Sequence, residues 1–143
     1  MIAFFAQQSQ GVGLIIWASF ISGFTPFLIV VASYFNPKAY WKIKVTDYAF
    51  AGIALFGLLL WQITDNANLA LTFSILADFA VALPTIVKSY TNPETESPLA
   101  FVISTLGFFI AALAIDEFNY QSTAFVVYLI FNNGLIAALL LRK

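Results

Sequence analysis

The sequence contains no cysteine and no histidine among its 143 residues. Without cysteine there can be no disulfide, thiolate metal site or cysteine nucleophile, and without histidine the most common general base is missing. Charged residues are also scarce, with six basic and seven acidic side chains and a net charge of −1. Six cations are too few for a nucleic-acid footprint. We therefore expect no metal, no cofactor and no nucleic-acid partner.

Most of the chain is apolar. Hydrophobic residues make up 62% of the chain and charged residues 9%, whereas soluble domains have about 45–50% and about 25%. The charges are segregated, and the apolar stretches between them approach the ~20 residues that a helix needs to cross a bilayer. The composition predicts an all-α integral membrane protein in a lipid bilayer, with residues 1–143 forming a single multi-pass domain.

Five membrane-spanning helices are predicted from these apolar stretches. They cover residues 12–34, 46–64, 69–88, 99–115 and 122–141. Residues 1–8 are apolar but far too short to span a bilayer. We interpret them either as an interfacial cap or as the stub of a helix.

The basic residues predict the orientation of these helices, because cytoplasmic flanks accumulate Lys and Arg. With five spans, all six basic residues fall on one side, and the opposite side holds only Asp65, Asp116 and Glu117. We therefore expect a cell (inner) membrane protein with its N-terminus outside and its C-terminus in the cytoplasm. The basic residues are Lys38, Lys42, Lys44, Lys88, Arg142 and Lys143.

Asp78, in the middle of the third predicted helix, is the strongest single indication of a site. A charged side chain at the centre of a spanning helix costs about 2.5–3.5 kcal/mol on insertion scales, and such residues usually have a function. The predicted spans contain no Lys, Arg or His that could pair with it. Asp78 must therefore be protonated, hydrogen-bonded to Asn, Ser or Tyr, or exposed to water.

Other polar residues occur at a similar depth in the first, third and fifth predicted helices. We expect these three helices to converge around a hydrated polar site at the membrane midplane. The candidate substrate-binding residues are Asp78, Asn133, Asn132, Tyr128, Ser22 and Ser74. Pro84 and Pro26 each remove a helical hydrogen bond and are candidate hinges. The alternatives are helix packing for the small polar residues and simple kinks for the prolines.

A family resemblance lies in the second half of the chain. Residues 84–88 (PTIVK), a short polar turn and residues 96–101 (ESPLAF) together resemble the PQ-loop signature of SWEET-like sugar facilitators, with Thr85 in place of the family's Gln. The pair Asn133-Gly134 is similar to the Asn-Gly pair of the last SWEET helix, whose Asn faces the sugar. The likeness covers residues 74–141 and is greatest to short bacterial members of this superfamily.

The resemblance implies an internal organisation. Residues 66–143 would form a complete triple-helix bundle, residues 45–65 a linker helix, and residues 1–34 the end of an incomplete first bundle. The chain would then be either a shortened form of a seven-helix protein or a protein that needs a second copy, as a homodimer, to complete a pathway.

An internal repeat agrees with this organisation. Residues 2–6 align with residues 110–114, and residues 20–23 align with residues 131–134. Parallel repeats of this kind are related by an axis along the membrane normal.

The resemblance and the shared depth of the polar residues predict a transporter or facilitator of a small polar solute, sugar-like or another metabolite, that works by alternating access. The alternative is a non-transporting membrane subunit or receptor-like module of the same fold. We do not expect an enzyme. An intramembrane aspartyl protease needs two carboxylates that share a proton, and only Asp78 lies deep in a predicted span.

Overall fold

The computed structural model describes residues 1–35, 45–64 and 66–142. All regular structure in these residues is helical, which confirms the all-α prediction. Lys38, Lys42, Lys44, Asp65 and Lys143, on which part of the orientation rests, lie outside the described residues. The helices are α1 (Ile2–Ser9), α2 (Ile16–Phe35), α3 (Val45–Thr64), α4 (Ala67–Thr91), α5 (Pro98–Ala112) and α6 (Tyr120–Leu141), with a short 3-10 helix at Pro93–Thr95.

Within the described residues, α4 and α6 are the two helices both long and apolar enough to cross a membrane. They have 25 and 22 residues and a mean hydropathy of 1.9 and 2.1. Two further apolar segments, Ile16–Leu28 and Pro98–Ala112, are shorter. Two helices therefore meet this criterion where the sequence predicted five spans. In the apolar window of α4 only 11% of the residues are fully buried.

Contacts along their length show that α4 and α6 are parallel neighbours. Tyr120 and Thr72 are hydrogen-bonded near the start of the two helices, and Arg142 donates to the carbonyl of Tyr90 near their ends. The end with the 10–15 turn and the 113–119 loop, which contains Asp116 and Glu117, is here called the acidic end. The end with Lys88 and Arg142 is called the basic end.

The position of α1 differs from the interfacial cap considered above. Residues 2–9 form a helix that packs inside the bundle, where Ala3 is buried with Leu71 and Leu129 and Ala6 is buried with Ala70. The helix runs antiparallel to α4 and α6 and also contacts α2. It therefore packs along the first halves of α4 and α6.

Candidate functional site

A hydrogen bond between α4 and α6 supplies the partner that Asp78 requires. The hydroxyl of Tyr128 donates to Asp78 Oδ2 at 2.6 Å, and both side chains are half-buried. The two residues lie near the middle of parallel neighbouring helices, so they meet at the same depth. The distance lies within the usual range for a hydrogen bond between two oxygen atoms. Of the three solutions predicted for Asp78, the structure contains the hydrogen bond to a tyrosine.

The surroundings of this pair are apolar. Ile75 and Tyr128 pack against the buried cluster that includes Leu71 and Leu129. Apolar surroundings strengthen a hydrogen bond relative to water, and they raise the cost of leaving either partner unpaired.

Asn132 lies one helical turn after Tyr128 and therefore on the same side of α6. Its side chain is only 6% exposed, and within the described residues its Oδ1 accepts no hydrogen bond. A buried acceptor without a donor costs about 1–3 kcal/mol. Asn132 therefore offers an unmet acceptor close to the Asp78–Tyr128 pair.

Two other predicted site residues bond to their own helices. The Asn133 side-chain amide donates to the carbonyl of Leu129 at 2.9 Å, and the Ser74 hydroxyl donates to the carbonyl of Ala70 at 2.8 Å. Neither is hydrogen-bonded to Asp78 in the part of the chain that the structure describes. Ser22 is half-buried on α2. The geometry brings together Asp78 and Tyr128, and it leaves these three residues outside their hydrogen bond.

Both candidate hinges lie inside long helices and are exposed. Pro26 is within α2 and Pro84 is within α4. Because proline has no amide hydrogen, the carbonyls of Ser22 and Ala80, four residues earlier, receive no helical hydrogen bond from it. Whether these positions act as hinges stays a prediction.

The sequence reasoning missed Gln7, the most connected polar residue of α1. Its side chain is 1% exposed, its Nε2 donates to the carbonyl of Gln121 at 2.6 Å, and its Oε1 accepts from the Ser19 hydroxyl at 2.5 Å. Gln7 thereby joins α1 to α2 and α6. Gln7 follows Ala3 by four residues and so lies on the same face of the helix. This spacing is the sequence feature that could have indicated its burial.

No protein-family model, characterised protein or solved structure matches this chain. The PQ-loop likeness is therefore carried by the residues quoted above alone. What the site does must be argued from its own chemistry.

Two cavities lie toward the acidic end, and Asp78 lines neither of them. The polar cavity, of about 420 Å³, lies between the turn after α1 and the loop before α6, and Gln10, Asp116 and Glu117 are among its lining residues. The apolar groove, of about 330 Å³, lies between α2 and α5. Ile15 lines both. Other residues of the groove are Trp17, Ile21, Ser104, Gly107 and Ala111.

Proposed function

We propose that the chain is a multi-pass membrane protein that transfers a small polar solute past Asp78 and Tyr128. The observation that carries this proposal is the 2.6 Å hydrogen bond between these side chains. It sets an acid and a phenol midway along the two described helices best suited to cross a bilayer. Ionisable residues inside a bilayer typically mark solute or proton pathways.

The membrane placement is supported by large apolar side chains that face outward. Ile103 is 59% exposed, Ile110 is 68% exposed and Phe131 is 66% exposed. Soluble monomers rarely present extended apolar surface of this kind. In this proposal α2, α3 and α5 complete five spans, and the basic end faces the cytoplasm.

The proposed transfer step is an exchange of hydrogen-bond partners. A solute hydroxyl or amine replaces the Tyr128 hydroxyl as the donor to Asp78, and the unmet acceptor of Asn132 receives a second donor one turn closer to the basic end. Bending at Pro84 in α4 and at Pro26 in α2 opens the two sides in turn. The rearrangement is the alternating access that the PQ-loop resemblance implies for a triple-helix bundle in residues 66–143.

Uptake into proteoliposomes tests the role of the acid. The purified chain is reconstituted and assayed with a panel of labelled hydroxylated and amino solutes. We expect Asp78→Asn to abolish uptake, because the amide keeps the shape of the side chain but loses its charge. Glu94→Gln, the same chemical change at an exposed position near the basic end, is the matched control and should transport normally. Uptake by Asp78→Asn equal to that of the control would refute the proposal.

The second candidate is a non-transporting subunit or receptor-like module. It is favoured by the closed state of the site, since Asp78 is bonded to Tyr128 and Asn133 to its own helix. This candidate predicts no flux across the panel and a partner protein that co-purifies in mild detergent. In either case a homodimer would be one way to complete the first bundle, and light scattering in detergent measures the number of copies.

A further inference from the structure

The polar cavity presents hydrogen-bond acceptors and negative charge. Asp116 and Glu117 are exposed, none of the lining residues is basic, and within the described residues neither acid forms an ion pair. Gln10 donates through Nε2 to Asn68 Oδ1 at 2.8 Å, which leaves its Oε1 buried and without a donor. A ligand that satisfies this cavity must bring positive charge and several hydrogen-bond donors.

A close approach of backbone and side chain builds one wall of this cavity. A Cβ atom at Gly13 would collide with the carboxylate of Asp116. The Asp116 carboxylate therefore lies directly against Gly13 in the turn after α1, and both residues line the cavity.

The apolar groove lies beside the polar cavity, and Ile15, which is 3% exposed, lines both. Its α5 wall includes Gly107 and Phe108, and a Cβ atom at Gly107 would meet no other atom within 4 Å. Trp17 and Ile21, both more than half exposed, form the α2 wall. The groove is therefore open, apolar and next to a charged cavity.

We propose that the polar cavity and the apolar groove together bind a membrane lipid with a primary-ammonium headgroup. The ammonium lies against Asp116, Glu117 and Gln10 Oε1, and one acyl chain follows the groove between α2 and α5. Charge complementarity selects this headgroup over an anionic one, and the adjoining groove selects a lipid over a soluble amine. Each volume is within the range of about 300–1,000 Å³ that is usual for ligand sites. The inference rests on the proposed membrane placement and not on solute transfer.

Lipid binding is measured by native mass spectrometry of the full chain in detergent, with three probes. The probes are phosphatidylethanolamine, phosphatidylglycerol with the same acyl chains, and free ethanolamine. We expect phosphatidylethanolamine to bind about tenfold more tightly than phosphatidylglycerol, the size of effect typical of hydrogen bonds to charged groups. Free ethanolamine should not displace it. Equal binding of the two lipids, or displacement by ethanolamine at equal concentration, overturns the proposal.

Two sets of variants test binding of the lipid headgroup and binding of the acyl chain separately. The double variant Asp116→Asn, Glu117→Gln should remove the preference for phosphatidylethanolamine, whereas Glu94→Gln should keep it. Gly107→Leu fills the groove and should weaken binding of both lipids. Gly52→Leu is its matched control, because Gly52 on α3 also has open space around it and does not line the groove.

Circular dichroism of each variant reports whether its helices remain. Equal lipid binding by helical Gly107→Leu and Gly52→Leu proteins overturns the assignment of the groove. The assay contains no transport readout, so the failure of solute uptake and the failure of lipid binding are observed independently.

Discussion

At the scale of single residues, one acid and one phenol connect α4 and α6. Hydrogen bonds to charged groups contribute about 1.5–3 kcal/mol, and a buried carboxylate that loses its donor becomes costly. The bond from Tyr128 to Asp78 therefore has two consequences. It stabilises the contact between α4 and α6, and in the proposed transfer step a solute would have to replace this bond.

Gln7 gives a sharp stability prediction at the same scale. Gln7→Leu preserves bulk in α1 but leaves the Ser19 hydroxyl and the carbonyl of Gln121 without their partner, at a cost of about 1–3 kcal/mol for a buried unpaired group. We expect a lower unfolding temperature in detergent, measured by intrinsic tryptophan fluorescence.

The neighbouring residue Gln8 provides the control for this prediction. Gln8 is exposed on α1, so Gln8→Leu makes the same chemical change without loss of a buried hydrogen bond. If the two variants unfold at the same temperature, the Gln7 contacts do not stabilise the bundle.

The sequence predicted that Asp78 would be protonated, hydrogen-bonded or exposed to water, because no cation occurs within the predicted spans. It did not single out Tyr128, because hydropathy places helix ends only to within about a turn and so leaves several residues at the same depth. Gln7 was missed for a different reason. Residues 1–8 are too short to span a bilayer, and only the packed structure shows that they enter the bundle.

At the scale of helices, the helix ends show why hydrophobic pattern alone misplaces boundaries. α5 ends at Ala112 rather than at the predicted residue 115, although the sequence stays apolar through Ile115. The amides of Leu113 and Ala114 donate to carbonyls three residues earlier, which tightens the last turn. α2 begins at Ile16 rather than at residue 12, and the amides of Ile16 and Trp17 donate to carbonyls three residues earlier.

The internal repeat inferred from the sequence stays a prediction. α1 leads into antiparallel α2, as α5 leads into antiparallel α6. Residues 2–6 lie at the start of α1, however, whereas residues 110–114, with which they align, span the end of α5 and the start of the following loop.

Pro84 gives the prediction that belongs to this scale. Pro84→Ala restores an amide that can donate to the carbonyl of Ala80, and proline inside a helix costs about 3 kcal/mol relative to alanine. The ring is exposed, so little packing is lost. We expect a more heat-stable protein whose solute uptake in proteoliposomes is slower, because a straightened α4 opens less readily.

Leu83→Ala is the control, since it shortens an adjacent exposed side chain without altering the backbone. Should Pro84→Ala transport as fast as this control, the proline is a structural kink and not a hinge.

At the scale of the whole molecule, Lys88 and Arg142 lie at one end of the helices, together with Glu94 and Glu96. At the basic end Lys88 pairs with Glu96 at 2.7 Å, and the Arg142 guanidinium lies 4.3 Å from the centre of the Tyr90 ring. Asp116 and Glu117 lie at the acidic end. The positive-inside tendency therefore predicts that the basic end faces the cytoplasm.

The lack of cysteine makes this orientation directly measurable, because an introduced cysteine is the only thiol in the protein. Glu94 and Glu117 are matched exposed acids at the basic and acidic ends, separated along the chain by α5. In intact cells that express the protein, a membrane-impermeant maleimide should label Glu117→Cys. It should label Glu94→Cys only after permeabilisation. The reverse pattern would invert the orientation, and labelling of both from outside would mean that α5 does not cross the membrane.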